Sequence, residues 1–323
     1  MVAYFVGAYS ADMGGTATGI AALGRLDDGS LEYLGLAAVS DSPAYLASHG
    51  DRVYAVEEAA GTVREFTRGD GFALDATGES PAGGAAPCHV ARYGDTVITS
   101  CYVDGHLGVL STDPLGLDAV LEGQGSGPHP AQDGSHAHAT VALDDSSIVS
   151  ADLGADRLYL HALVDGVLTR TGEIELPAGT GPRDFLRGPG GYLYVLGELS
   201  LEVLVFDDEL TFVGRTPLPG ARPGDHAAAL TLSAAGDFVW AGLRGSNRIA
   251  VLGVSHGGRA LSAVTSVSAE GDWPRHHVVD GDVMHVAHER SNTVASFRLG
   301  DDGIPTLIEP PIEVPSPIFL LAV

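Results

Sequence analysis

Hydrophobic positions along the chain gather into pairs of short strands around a polar turn, a 14-residue unit that recurs six times without a gap. The copies are VYAVEEAAGTVREF from Val53, VITSCYVDGHLGVL from Val97, IVSADLGADRLYLH from Ile148, LYVLGELSLEVLVF from Leu193, VWAGLRGSNRIAVL from Val239 and MHVAHERSNTVASF from Met284. Successive copies begin about 45 residues apart, with one longer interval of about 51 before Ile148, and a strand-rich period of that length predicts propeller blades. Each unit is a small sheet that buries its faces only against its neighbours.

A leading strand precedes each copy and sets how the ring closes. Seven segments start from a corner containing Pro, Gly, Ser or Ala: SPAYLAS at Ser42, APCHVAR at Ala86, SHAHATVAL at Ser135, GPRDFLR at Gly181, AAALTLS at Ala227, WPRHHVV at Trp273 and SPIFLLAV at Ser316. The last has no 14-residue unit after it. At the other end, YFVGAYS from Tyr4 and GIAAL from Gly19 form a unit with no leading strand before it. The two incomplete ends predict one shared blade, so the expected fold is an all-β, seven-bladed propeller of four-stranded blades. It spans residues 1–323 as a single domain. Joining first strands to last leaves no open sheet edge at the seam.

Composition fits that picture. The 44 glycines and 18 prolines are spread evenly, as the turns of a many-stranded protein require. No apolar run approaches the ~20 residues of a membrane span. The formal charge of -25, with every cation an arginine, argues against nucleic acid or an anionic membrane as partner. A cytoplasmic location is expected. The two cysteines, Cys88 and Cys101, should be near neighbours on one hairpin; that permits a disulfide without requiring it.

Propeller geometry selects the candidate site. The starts of the innermost strands and the ends of the strands beside them share one face of the disc and surround the channel mouth. The first positions read Tyr45, His89, His138, Asp184, Ala229, His276 and Phe319, preceded by Ala44, Cys88, Ala137, Arg183, Ala228, Arg275 and Ile318. The second read Ala8/Tyr9, Glu57/Glu58, Cys101/Tyr102, Asp152/Leu153, Gly197/Glu198, Leu243/Arg244 and His288/Glu289. Histidines, arginines and carboxylates converging from separate blades suit acid-base work on an anionic substrate. The insertion from Gly123 to Gly134 leads directly towards His138, either over the mouth or as a passive loop.

The phrases GSGPHPAQDGSHAHATVAL, ADLGADRLYLH, GTGPRDFLRGPGGYLYVLGELSLEVLVF, LRGSNRIAVL and GDWPRHHVVDGDVMHVAHERSNTVASFRL resemble the bacterial lactonases of the seven-bladed propeller type. That family includes propeller 6-phosphogluconolactonases and, more distantly, fungal carboxymuconate lactonizing enzymes. The resemblance implies a catalytic set of His138, Arg183, Glu198 and Arg244. The chain also departs from the pattern. Asp184 stands where relatives usually show histidine, Ala229 where many carry glutamate, and His288 with Glu289 where an Asn-Gln pair is common.

Lactone hydrolysis needs an activated water, a donor for the oxyanion and a proton for the leaving alkoxide. His138 is the expected base, with Glu198 orienting it or sharing the proton transfer, while Arg183 and Arg244 stabilise the oxyanion and hold any carboxylate or phosphate of the substrate. Arg275, His276, His89, Asp184 and Glu289 complete a substrate-binding wall. No cofactor is expected, and a metal held by His89, His138, His276 and Asp184 finds no support in spacing. The expected partner is a small lactone. Because Asp184 and Glu289 oppose a dianionic phosphate, a lactone with one negative charge or none is favoured over the 6-phosphate. The rival readings are a non-catalytic propeller that binds a small ligand or a protein, and a cycloisomerase that closes an unsaturated diacid to a lactone. Replacing Arg183 or Glu198 is expected to remove activity while leaving stability nearly intact, since strand-end surface residues carry little packing.

Overall fold

A computed structural model describes residues 2–323. Seven antiparallel sheets stand around a central axis. Blade one spans 43–81, blade two 87–121, blade three 137–175, blade four 182–217, blade five 226–268 and blade six 274–313. Blade seven combines 2–39 with the last strand, Pro317–Ala322. Each blade has four strands; in blade six the outermost is interrupted, and Pro305–Leu307 and Ile312–Glu313 both pair with Thr293–Leu299.

The predicted seam is present. Val2–Ala8 pairs antiparallel with Pro317–Ala322, matching Tyr4 with Ala322, Phe5 with Leu321, Val6 with Leu320 and Gly7 with Phe319. The C-terminal strand is therefore the innermost strand of blade seven, between the channel and the N-terminal strand.

Seven apolar clusters hold the ring, one at each junction between neighbouring blades. At the junction of blades four and five, Tyr194, Leu196, Val203 and Val205 meet Ala227, Val239, Ala241 and Leu243. Middle strands are covered on both faces, so they read as near-continuous apolar runs such as LYVLG rather than as alternation. Only the outer strands alternate with solvent, as in Val167–Glu175.

The corners before the inner strands follow one rule. Ser42, Ala86, Gly181, Trp273 and Ser316 each have a left-handed backbone and each is followed by the proline that begins the inner strand. Gly181 takes that conformation at no cost, but Trp273 at φ 68° does so against its bulk. Its amide donates to Asn247 Oδ1 at 2.9 Å and its carbonyl accepts from Glu289 N at 3.2 Å, which hold the corner in place.

Candidate functional site

Immediately after each corner the inner strand carries one extra residue. In blades one to four the pairing register shifts between Pro43 and Tyr45, Pro87 and His89, Ala137 and Ala139, and Pro182 and Asp184. Blades five, six and seven repeat it between Ala228 and Leu230, Pro274 and His276, and opposite Gly7 and Ala8. A bulge suspends the alternation of a strand, so two consecutive side chains reach the same side. Both members of Ala44/Tyr45, Cys88/His89, His138/Ala139, Arg183/Asp184, Arg275/His276 and Ile318/Phe319 accordingly line one axial cavity, with Ala229 from blade five.

These pairs correct the alignment read from sequence. His138 is the bulge residue of blade three, level with Cys88, Arg183 and Arg275, not with His89, Asp184 and His276. The lining therefore has an upper tier with His138, Arg183 and Arg275, and a lower tier with Tyr45, His89, Asp184, His276 and Phe319.

In the upper tier Glu198 is the hub. Its Oε2 accepts from Arg183 Nη1 at 2.5 Å, and its Oε1 meets Arg244 Nη2 at 2.8 Å and His226 Nδ1 at 3.0 Å. Burial opposes ionisation of Glu198, but Arg244, then Arg183 and the His226 hydrogen bond outweigh it and hold the carboxyl well below its ordinary range. Glu198 thus serves the arginines and does not orient His138 as the sequence suggested. Arg244 is itself buried and also donates to the carbonyls of His226 and Ala227 at 3.3 and 3.4 Å. Most of its donors are engaged, which leaves it less free than Arg183 and Arg275 to meet a ligand.

A second ion pair lies across the mouth. Arg275 Nη1 donates to Glu289 Oε2 at 3.0 Å, and Nη2 to the Tyr9 hydroxyl at 2.7 Å. Tyr9 donates in turn to Glu58 Oε2, also at 2.7 Å. The His138 imidazole has no hydrogen bond among the described residues, and Tyr102 meets it edge-on at 6.1 Å. Burial, then the positive charge of Arg183, pushes His138 well below the ordinary histidine range, with Glu198 pulling the other way. The ring is neutral at physiological pH, with a nitrogen lone pair to offer.

The lower tier is more structural. Asp184, expected to meet substrate, instead accepts from the backbone amides of Phe185 and Leu230, both at 2.9 Å, tying blade four to blade five. His276 Nδ1 accepts from the Leu320 amide at 3.2 Å, and its ring packs on Phe319 at 4.2 Å. Burial pushes His276 and His89 down to about 3. Among the described residues the donor atoms of His89, His138, His276 and Asp184 do not gather within one coordination sphere; the acidic group close enough to share an ion is the turn Asp207, Asp208, Glu209. The thiols also point apart. Cys88 Sγ lies 3.6 Å from the carbonyls of Ser100 and Ala137, Cys101 Sγ 3.7 Å from that of Ala82, and both are free.

The insertion before blade three is latched to that blade by buried Gln132, whose Nε2 donates to Leu153 O at 2.8 Å and Asp156 Oδ1 at 2.7 Å. Trp273 stands at the rim with the Arg290 guanidinium 3.4 Å and the Arg244 guanidinium 5.5 Å from its ring centre. His226 and Trp273 were not singled out from sequence. His226 is the first residue of the inner strand of blade five, and its signal was its position opposite Arg244 across the hairpin. Among the described residues no helix is long and apolar enough to cross a membrane.

With this geometry in view, residues 3–322 match the family described as lactonase, 7-bladed β-propeller. The chain belongs to that family. Among proteins of known name it is similar to the 6-phosphogluconolactonase of Bacillus subtilis strain 168, 31% identical over 310 residues that cover 88% of each chain. A crystal structure of a Lactobacillus plantarum protein superposes with a TM-score of 0.91 at 27% identity, covering all of both chains. The periplasmic gluconolactonase of Pseudomonas aeruginosa does so with a TM-score of 0.91 at 25% identity, covering 100% of this chain and 99% of the other.

Proposed function

We propose that this lactonase-family propeller hydrolyses a sugar-acid lactone at the axial cavity. The observation that carries the reading is the His138 imidazole, which has no hydrogen bond among the described residues, shares a cavity with Arg183 and Arg275, and is pushed by burial well below the ordinary histidine range. A base must be unprotonated and have its lone pair unoccupied before substrate arrives. His138 takes a proton from water as the water oxygen adds to the acyl carbon. The oxyanion that forms lies against Arg183, whose position Glu198 fixes, so the positive charge is already oriented when the negative charge develops.

Substrate charge follows from the balance around the cavity. Arg183 and Arg244 are matched by Glu198, and Arg275 by Glu289. A dianionic phosphate wants several cations without carboxylate partners, so a neutral or singly charged lactone fits better. The B. subtilis and P. aeruginosa relatives are named for phosphorylated and plain gluconolactones, which supports the substrate class and leaves the phosphate to experiment. We place the reaction in the cytoplasm, where two free thiols stay reduced; cell fractionation checks this.

The test is proton release from gluconolactone, 6-phosphogluconolactone and muconolactone. Gluconolactone should give the highest kcat/KM. A preference above about tenfold for the phosphate, worth ~1.4 kcal/mol in the transition state, would overturn the charge argument. Ring closure of an unsaturated diacid would indicate the cycloisomerase, and binding without turnover a ligand-binding propeller.

A further inference from the structure

The lactonase reading leaves one proton unassigned. As the acyl C–O bond breaks, the ring oxygen must be protonated, and the arginines of the site stay cationic. The axial cavity holds a further titratable side chain, Glu58. Blade one ends its second strand in two adjacent glutamates with different surroundings.

Glu57 is fully engaged. Its Oε1 accepts from Ser40 Oγ at 2.7 Å, the Asp41 amide at 3.3 Å and Arg64 Nη1 at 3.2 Å, and its Oε2 accepts from Thr62 Oγ1 at 2.9 Å. The Glu58 carboxyl has one hydrogen bond among the described residues, the 2.7 Å bond from Tyr9 to Oε2, and it lines the cavity shared with His138, Arg183 and Arg275. Its side chain is nearly buried, and its Oε1 has no hydrogen-bond partner among the described residues.

Tyr9 is held from the other side by Arg275, which is paired with Glu289. Blades six, seven and one are thereby joined in one relay, and Tyr9 belongs to the blade that closes the ring. His138 stands on blade three, two places round from Glu58. The two groups therefore approach a bound lactone from different sides, as an acid and a base acting on opposite bonds of one acyl centre require.

We propose that Glu58 is the proton donor to the leaving ring oxygen, held in place by Tyr9 and Arg275. The inference rests on the lactonase reading. His138 takes the water proton while the new C–O bond forms. Collapse of the tetrahedral oxyanion breaks the acyl bond to the ring oxygen, the bonding pair stays on that oxygen, and the Glu58 carboxyl gives it a proton. Glu58 regains a proton from the His138 imidazolium through water, and the product carboxylic acid ionises, releasing one proton per turnover. Burial raises the Glu58 carboxyl above its ordinary range, and Glu289 adds to that, against the pull of Arg275, the Tyr9 hydrogen bond and Arg183.

Leaving-group chemistry tests the assignment. An alkyl lactone such as gluconolactone expels an alkoxide that needs a donor, whereas an aryl lactone such as dihydrocoumarin expels a phenolate that does not. Glu58→Gln should lower kcat on gluconolactone by about 100-fold, leave kcat on dihydrocoumarin within a few-fold of wild type, and remove the basic limb of the kcat profile. Tyr9→Phe retains the acid but removes a bond that stabilises its ionised form, so the basic limb should move to higher pH. Equal losses on both lactones, or an unmoved basic limb in both variants, would overturn the role of Glu58 while leaving lactonase activity standing. A wild type inactive on every lactone would overturn the functional reading and this assignment with it.

Discussion

At the scale of single residues, the site is a small set of charges placed where burial makes each one consequential. Arg183, Glu198 and Arg244 are all buried. Removing Glu198 leaves two cations in low dielectric without their counter-charge, which costs about 3–5 kcal/mol. Glu198→Ala should therefore lose activity and also melt at clearly lower temperature, and adding Arg244→Met should recover part of the melting temperature but not the activity. Thermal unfolding of the single and double variants checks this. Their burial argues against the expectation that Arg183 and Glu198 are replaceable at little cost in stability, because these strand ends face the axis rather than solvent. His138 is the contrast. Its imidazole has no hydrogen bond to lose, so His138→Ala should abolish turnover while shifting stability little; kcat and melting temperature measured together separate the two.

The element that matters most is the inner strand with its corner and bulge. A left-handed residue turns the chain, a proline starts the strand in five of the blades, and the extra residue then delivers consecutive side chains to the axis. Blade seven builds this element from the C-terminus. Removing residues 316–323 would strip the innermost strand from blade seven, leave Val2–Ala8 as an open edge and uncover the junctions with blades six and one. The expected outcome is an aggregating chain with no cooperative melt at the wild-type temperature. Unchanged melting would contradict the shared blade. The corner and bulge were legible only in part. The repeated X-Pro pairs marked where strands begin, but blade three lacks the proline and so the sequence alignment put His138 one tier too low.

For the whole molecule, the ring buries histidines that must remain neutral. Burial is the largest cause in every case. It pushes His161, His277, His285 and His288 down to about 4, His89 and His276 to about 3, and His138 well below the ordinary range. Below pH ~6.5 the unfolded chain binds protons that the folded chain refuses, so stability falls as pH drops from there towards the folded values near 4. Each histidine contributes a slope of up to about 1.4 kcal/mol per pH unit in that window. Urea unfolding at pH 7.5, 6 and 5 should show a steep loss, carried mainly by protonation of histidine rather than of carboxylates. A flat profile between pH 7.5 and 5 would show that the histidines ionise in the folded state. The formal charge of -25 acts on association as well. Added salt should raise kcat/KM for a dianionic lactone and leave that for a neutral lactone nearly unchanged.

The sequence by itself determined the number of blades, the strand order within each and the shared closing blade. These follow from local periodicity and from burial, and every repeat states them again. It also placed His138, Arg183, Glu198, Arg244, Arg275 and Glu289 at one mouth, because strand ends of a propeller have nowhere else to go. The tertiary structure alone decided how those groups are paired: that Glu198 binds two arginines and His226 rather than His138, that Asp184 ties two blades, and that Glu58 is left open while Glu57 is not. Pairing depends on side-chain reach across blades and on a one-residue bulge, and a single inserted residue moves a side chain to another tier without altering the pattern of apolar positions that identifies the strand.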